Sequence, residues 1–312
     1  MILMRGERQM KLKMNKDQLT GDTKEVIDEF IKDCESRGLS KATIEVYKIN
    51  INYLVEYLDS KKMDLKKVST KTIQDYKSHL VNNTNRNNTS INTTLRHIKV
   101  FLDWTHENGY TESVTIKYLK VQQKPKEIYT DEDIKTLLKK PNVNDCSYAD
   151  FRSWAIINVL VSTGMRRSSL LNIKLDDINW KDNIIRLNHT KNKQVHYVSM
   201  SNQLAKIVKE WLKYRINGSD YLFTGRTGKQ LSPLTVSSSV LQYNRSRNVE
   251  VTSVHAFRHY YATKLVENNV DIYTISKLLG HTNIQVTQNY LKSLNMEKFV
   301  KDNAINVFDL LE

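Results

Sequence analysis

The chain has 312 residues, 39% hydrophobic and 26% charged, which is enough apolar material for two ordinary cores, since single cores rarely outgrow roughly 250–300 residues. Its 48 Lys and Arg against 34 Asp and Glu leave a formal charge of +14, so a polyanion is the first expected partner. Composition excludes other classes: no run approaches the roughly 18 consecutive apolar residues of a membrane span, and Cys34 and Cys146 stand too far apart to suggest a disulfide framework or a thiolate zinc site.

Residues 1–21 are polar and basic, without a sustained period, and read as a flexible arm. From Thr23, the apolar positions Val26, Ile27, Phe30, Ile31 and Cys34 follow one helical face until Gly38. Ser40 is placed to cap a second helix carrying Ile44, Tyr47, Ile51, Leu54, Val55 and Leu58, and Ser69 a third carrying Ile73, Tyr76 and Leu80. A fourth is expected from Ser90, through Leu95, Ile98, Phe101 and Leu102, to the stop at Asn108-Gly109. Residues 22–112 thus read as a small four-helix domain.

Residues 113–129 lose the pattern, with Lys117, Lys120, Lys124 and Lys126 around Pro125, and read as a basic linker. Residues 130–312 form the second expected domain. Thr130 with Asp133 marks a helix start, and Phe151 to Thr163 is a strongly apolar helix ending at Gly164. Ile184-Ile185-Arg186-Leu187 and Val195-His196-Tyr197-Val198 read as strands around the polar turn Thr190-Lys191-Asn192-Lys193, and helices resume near Ser201. The expected fold class is mainly α with a small antiparallel β-sheet in the second domain (α+β).

The most informative stretch is His255-Ala256-Phe257-Arg258, followed by Leu279-Gly280-His281 and, nine residues on, Tyr290. Residues three apart on a helix share a face, so His255 and Arg258 can address one ligand, and an imidazole beside a guanidinium suits a phosphate. Gly280 is suited to end a helix and aim His281 at the same spot, with Thr282 capping a further helix that presents Tyr290. Upstream, Thr163-Gly164-Met165-Arg166 puts an arginine just past a helix stop, and Lys191 stands on the strand turn. With Tyr as nucleophile and the cations neutralising a pentavalent phosphorane, the set needs no carboxylate, metal or cofactor.

These residues resemble the tyrosine recombinases, or phage integrases, in a compact form without an arm-binding domain. The resemblance spans nearly the whole chain: the four-helix segment looks like the core-binding domain and residues 130–312 like the catalytic domain. It implies that Arg166 and Arg258 clamp the scissile phosphate, Lys191 protonates the leaving 5′ oxygen, His255 assists proton transfer, His281 hydrogen-bonds the phosphate, and Tyr290 forms a 3′-phosphotyrosyl bond. It also implies double-stranded DNA with paired inverted half-sites as partner, a monomer when free, a homotetramer on DNA, and a cytoplasmic, nucleoid-associated location. One residue departs from the pattern: similar proteins carry an acid three positions after the first arginine, where this chain has Ser169.

Other readings compete for single features. His255 and His259 are spaced like a helical zinc pair, but Ala256 stands where a metalloprotease glutamate is needed and Arg258 would repel the metal. Asp176-Asp177 fits a turn better than a metal nuclease. The linker lysines are either a solvated run or DNA-backbone contacts, and the resemblance favours DNA. Phe299, Val300, Ile305, Val307, Phe308, Leu310 and Leu311 make the tail from Leu294 too apolar to stay solvated, so it docks in cis or on a neighbouring protomer. The same chemistry would serve a type IB topoisomerase-like relaxer, and a DNA-binding regulator that keeps only the fold is the non-enzymatic alternative.

Overall fold

The computed structural model describes residues 23–121, 128–188, 195–281 and 283–291. The chain divides between Gln123 and Lys124 into two compact units. No helix among the described residues is long and apolar enough to cross a membrane.

The first unit holds α1 (Thr23–Ser36), α2 (Lys41–Ser60), α3 (Thr70–Asn83) and α4 (Asn88–Glu107). Side-chain caps fix their starts. Ser40 accepts from the Thr43 N–H, and Ser69 forms a reciprocal capping box with Thr72. Each such cap is worth about 1 kcal/mol. Helix α4 starts earlier than its apolar pattern suggests, because Asn87 takes the cap by accepting from Ser90 N–H. Four cap-competent residues in a row, Asn87 to Ser90, leave periodicity unable to choose among them. The core is a contiguous apolar cluster in which Phe30 meets Phe101 and Trp104 edge-on, at centroid distances of 5.2 and 5.5 Å.

The stretch after α4 runs along this unit. Val114 is buried, and Asn92 holds Leu119 at both backbone groups, donating to its carbonyl at 2.9 Å and accepting from its N–H at 2.8 Å. The Lys77 ammonium donates to the Lys117 carbonyl and Asn88 to the Lys120 carbonyl. Lys117 and Lys120 keep their side chains exposed on the surface of the first unit, while Lys124 and Lys126 lie outside the described residues.

The second unit contains α5 (Asp131–Leu138), α6 (Tyr148–Thr163), α7 (Arg167–Leu171), β1 (Ile178–Asn179), β2 (Ile184–Leu187), β3 (His196–Ser199), α8 (Asn202–Tyr214), α9 (Pro233–Arg245), α10 (Val254–Glu267), α11 (Ile272–Leu278) and α12 (Ile284–Leu291). Helix α6 is apolar on nearly every side because α5, α8, α9 and α10 all pack on it. Its buried Arg152 donates to the Thr224 carbonyl and the Ser239 hydroxyl.

The sheet is antiparallel in the order β1-β2-β3, with Ile185 opposite Val198 and Leu187 opposite His196. Strand β1 was not foreseen, since two residues carry no readable alternation. Asp177, from the pair weighed as a metal site, is buried and accepts from the Lys174 N–H and the Asn188 amide. It braces the approach to the sheet.

Candidate active site

Three chain reversals build the site. The first ends α6 at Gly164, whose φ of +60° is left-handed and whose N–H returns to the Leu160 carbonyl at 2.9 Å. A side chain has no room there: a Cβ on Gly164 would stand 2.8 Å from Tyr261 Cγ and 3.1 Å from Leu279 Cδ2. Two residues later Arg166 is the N-cap of α7. The second is the start of α10, which carries His255 and Arg258 on successive positions of one face. The third ends α11, where Gly280 at φ +62° closes a Schellman turn, its N–H bonding the Lys277 carbonyl and the His281 N–H the Ser276 carbonyl.

These reversals bring the two arginines together on main-chain carbonyls. Arg258 is only 2% exposed. It donates from Nη1 to the Gly164 carbonyl at 2.9 Å and from Nη2 to the Leu279 carbonyl at 2.8 Å, with His281 Nε2 2.6 Å from the same Nη2. Arg166 Nη1 donates to the Gly280 carbonyl at 3.1 Å. A guanidinium only donates, so His281 Nε2 accepts and its Nδ1–H faces the buried Thr287 hydroxyl at 2.8 Å. Burial, then Arg258, Arg166 and His255, push the His281 pKa down from 6.5 to about 4.

Arg166, Arg258 and His281 line a cavity of about 340 Å³ together with His196, Lys277 and Ser169. No described lining residue is a carboxylate, and Ser169, where the resemblance leads one to expect an acid, is buried. A cavity with two guanidiniums, an ammonium and no acid attracts an anion of tetrahedral phosphate type.

Of the remaining expected residues, His255 is exposed on the first turn of α10, its ring 5.0 Å from His259 and perpendicular to it. Helix α12, which carries Tyr290 in its last turn, packs against α10 and α11. The Tyr290 side chain, Lys191, Thr282 and the tail from Leu294 lie outside the described residues.

Sequence reasoning missed His196, Lys277 and Thr287. A signal existed for His196: it stands two residues before the buried Val198 in a strand and so shares its face. The carbonyls of Gly164, Leu279 and Gly280 had no side-chain signal, although two of the three belong to left-handed glycines.

Residues 127–297 match the phage integrase family and residues 26–112 the N-terminal SAM-like domain of phage integrases. The tyrosine recombinase XerA of Pyrococcus furiosus is 27% identical over 276 residues, covering 86% of this chain and 89% of the relative. XerA of Thermococcus kodakarensis is 29% identical over 272 residues, covering 86% and 90%. Among solved structures, the XerH site-specific recombinase in a post-cleavage complex with a palindromic difH substrate superposes with a TM-score of 0.70. It is 18% identical, and the match covers 89% of this chain and 83% of that one.

Proposed function

The chain belongs to the phage integrase family and is a tyrosine site-specific recombinase, and from this premise we propose that it cuts and rejoins DNA through a 3′-phosphotyrosine at Tyr290 and a Holliday junction. The convergence of Arg166, Arg258 and His281 on one cavity with no carboxylate among its described lining residues carries the reading. The guanidiniums take the non-bridging oxygens of a scissile phosphate and offset the charge that grows on the phosphorane. The Tyr290 oxygen attacks phosphorus, the bond to the 5′ oxygen breaks, His255 assists removal of the tyrosine proton, and Lys191 supplies a proton to the leaving oxygen. Attack by a 5′-hydroxyl on the phosphotyrosine reverses these steps, so one ester replaces another and no nucleotide is consumed.

Positions 287 and 290 are three apart on α12 and share a side of that helix. Thr287 already meets His281, which supports Tyr290 as the residue brought to the phosphate. The N-terminal helical unit and residues 113–129, including Lys117, Lys120, Lys124 and Lys126, grip a duplex bearing paired inverted half-sites. The free protein is a monomer that assembles as a homotetramer on DNA. A DNA substrate supports a cytoplasmic, nucleoid-associated location.

A duplex nicked next to the cleavage point tests the assignment, because loss of the short fragment traps the covalent adduct. The wild-type chain should accumulate denaturant-stable adduct, and Tyr290→Phe should bind the duplex equally well and form none. Adduct from the Phe variant would overturn the nucleophile. Plasmid relaxation without exchange between two sites would point to topoisomerase action instead.

A further inference from the structure

His196 stands outside the residues assigned above, yet it touches the turn on which they depend. It lies on β3 opposite Leu187, half-buried, with Nε2 3.1 Å from the Leu278 carbonyl. A carbonyl only accepts, so Nε2 carries the hydrogen and donates. The face of the ring lies over Gly280, three of its atoms 3.5 Å from where a Cβ would sit. The next two carbonyls along the chain belong to Leu279 and Gly280, and they accept from Arg258 and Arg166.

We propose that His196 is a positioning residue for DNA cleavage: by holding the Leu278 carbonyl and packing on Gly280, it fixes the turn whose next two carbonyls place both phosphate-binding arginines. The inference rests on the recombinase reading and deepens it. The last carbonyls of a helix have no partner within the helix, and those of Leu279 and Gly280 are served by arginines that must also hold a phosphate. A turn anchored only by those arginines would shift with its ligand. A carboxylate beside Arg166 would be another anchor, but Ser169 occupies that place. Donation from the β-sheet is independent of the phosphate, so the clamp keeps its geometry in the free and bound protein. Burial, opposed by the bond to the Leu278 carbonyl, and then the charges of Arg258 and Arg166 push the His196 pKa down, which favours the neutral ring.

The test uses the full chain with His196→Gln, whose amide N–H reaches a carbonyl, and His196→Leu, which keeps bulk without a donor. Should the Leu variant fail to fold, as read by thermal melting, His196→Asn, too short to reach Leu278, replaces it. Single-turnover cleavage of a nicked duplex is compared with half-site affinity. The Leu variant should cleave roughly 10- to 100-fold more slowly, the scale of a small misplacement of binding groups, with Kd within about threefold of wild type. The Gln variant should keep at least about a third of the wild-type rate, since the donor is restored. A duplex with sulfur at the leaving 5′ position needs no general acid, so it should leave the Leu defect in place. Wild-type cleavage by the Leu variant, equal defects in Leu and Gln, or restoration by the 5′-sulfur substrate would each overturn the proposal, the last by assigning His196 to leaving-group protonation. Failure of the wild-type chain to form any adduct would instead overturn the cleavage reading beneath it.

Discussion

A single methyl group on Gly164 should damage both stability and cleavage, for separable reasons. The residue sits at φ +60°, where any L side chain costs about 1–2 kcal/mol. The new Cβ would stand 2.8 Å from Tyr261 Cγ and 3.1 Å from Leu279 Cδ2, and such overpacking adds about 1–3 kcal/mol. The sum for Gly164→Ala is about 2–5 kcal/mol. In a unit of this size about 1 kcal/mol moves Tm by about 2–4 °C, so the melting of the C-terminal unit should fall by about 10 °C. Calorimetry reads that transition directly.

Relief of the steric part separates the two costs. Tyr261→Ala removes Cγ and the ring beyond it from the occupied space, so in the double variant the packing penalty should shrink while the backbone penalty stays. The cycle should show a coupling of about 1 kcal/mol or more. Cleavage should fall further than stability implies, because the Gly164 carbonyl accepts from Arg258 Nη1 and moves with the displaced turn. A Gly164→Ala protein melting within about 1 °C of wild type, or strictly additive substitutions, would refute the reasoning.

Arg166→Lys and Arg258→Lys should each lower single-turnover cleavage by about 10²-fold or more, since one ammonium cannot hold a main-chain carbonyl and a phosphate oxygen in the arginine geometry; near-normal rates would refute the clamp. Cleavage should be unchanged in excess EDTA, because side-chain cations carry the transition-state charge, and loss restored by zinc or magnesium would revive a metal site at His255 and His259. Half-site affinity should fall steeply with salt, log K against log[salt] having a slope beyond about −5, as expected when several phosphates are neutralised; a flat profile would remove the basic linker from the interface.

Helix starts were legible where one polar residue stood before an apolar run, as at Ser40, Ser69, Thr130 and Ser201, because a cap is a local interaction. They were less so at Asn87, where neighbours compete. Strand β1 and the turn Leu65–Lys67 were invisible for a different reason: two or three residues cannot express a period, and the sheet and the core define them. The stretch at 114–120 shows the same limit, since its attachment depends on Asn92 and Asn88, about 30 residues away. At the site, sequence spacing brought Arg258 to His281 correctly because Gly280 dictates a reversal. It was silent on what orients the arginines, because the acceptors are backbone carbonyls common to every residue.

The protonation of His281 links the clamp to its ligand. In the free protein Nε2 accepts from Arg258 and Nδ1–H faces Thr287, so the imidazole is neutral and offers no hydrogen to the cavity. Burial and the charges of Arg258, Arg166 and His255 hold its pKa at about 4, below the ordinary 6.5. As pH falls from about 6.5 toward 4 the unfolded chain takes up this proton and the folded chain does not, so His281 makes the free protein less stable across that window. A phosphodiester held by Arg166 and Arg258 cancels part of the charge that depresses the pKa, and it supplies an acceptor for Nε2–H. Binding should therefore raise the His281 pKa and take up a proton, which makes half-site affinity at constant salt increase as pH falls from 7.5 to 5.5. Calorimetry in two buffers of different ionisation enthalpy counts the proton. His281→Gln keeps an amide donor but cannot titrate, so its proton uptake should drop relative to wild type. Equal proton uptake in both proteins, or an affinity that weakens toward pH 5.5 in the wild-type chain, would mean that His281 stays neutral in the complex and that the phosphate meets the arginines alone.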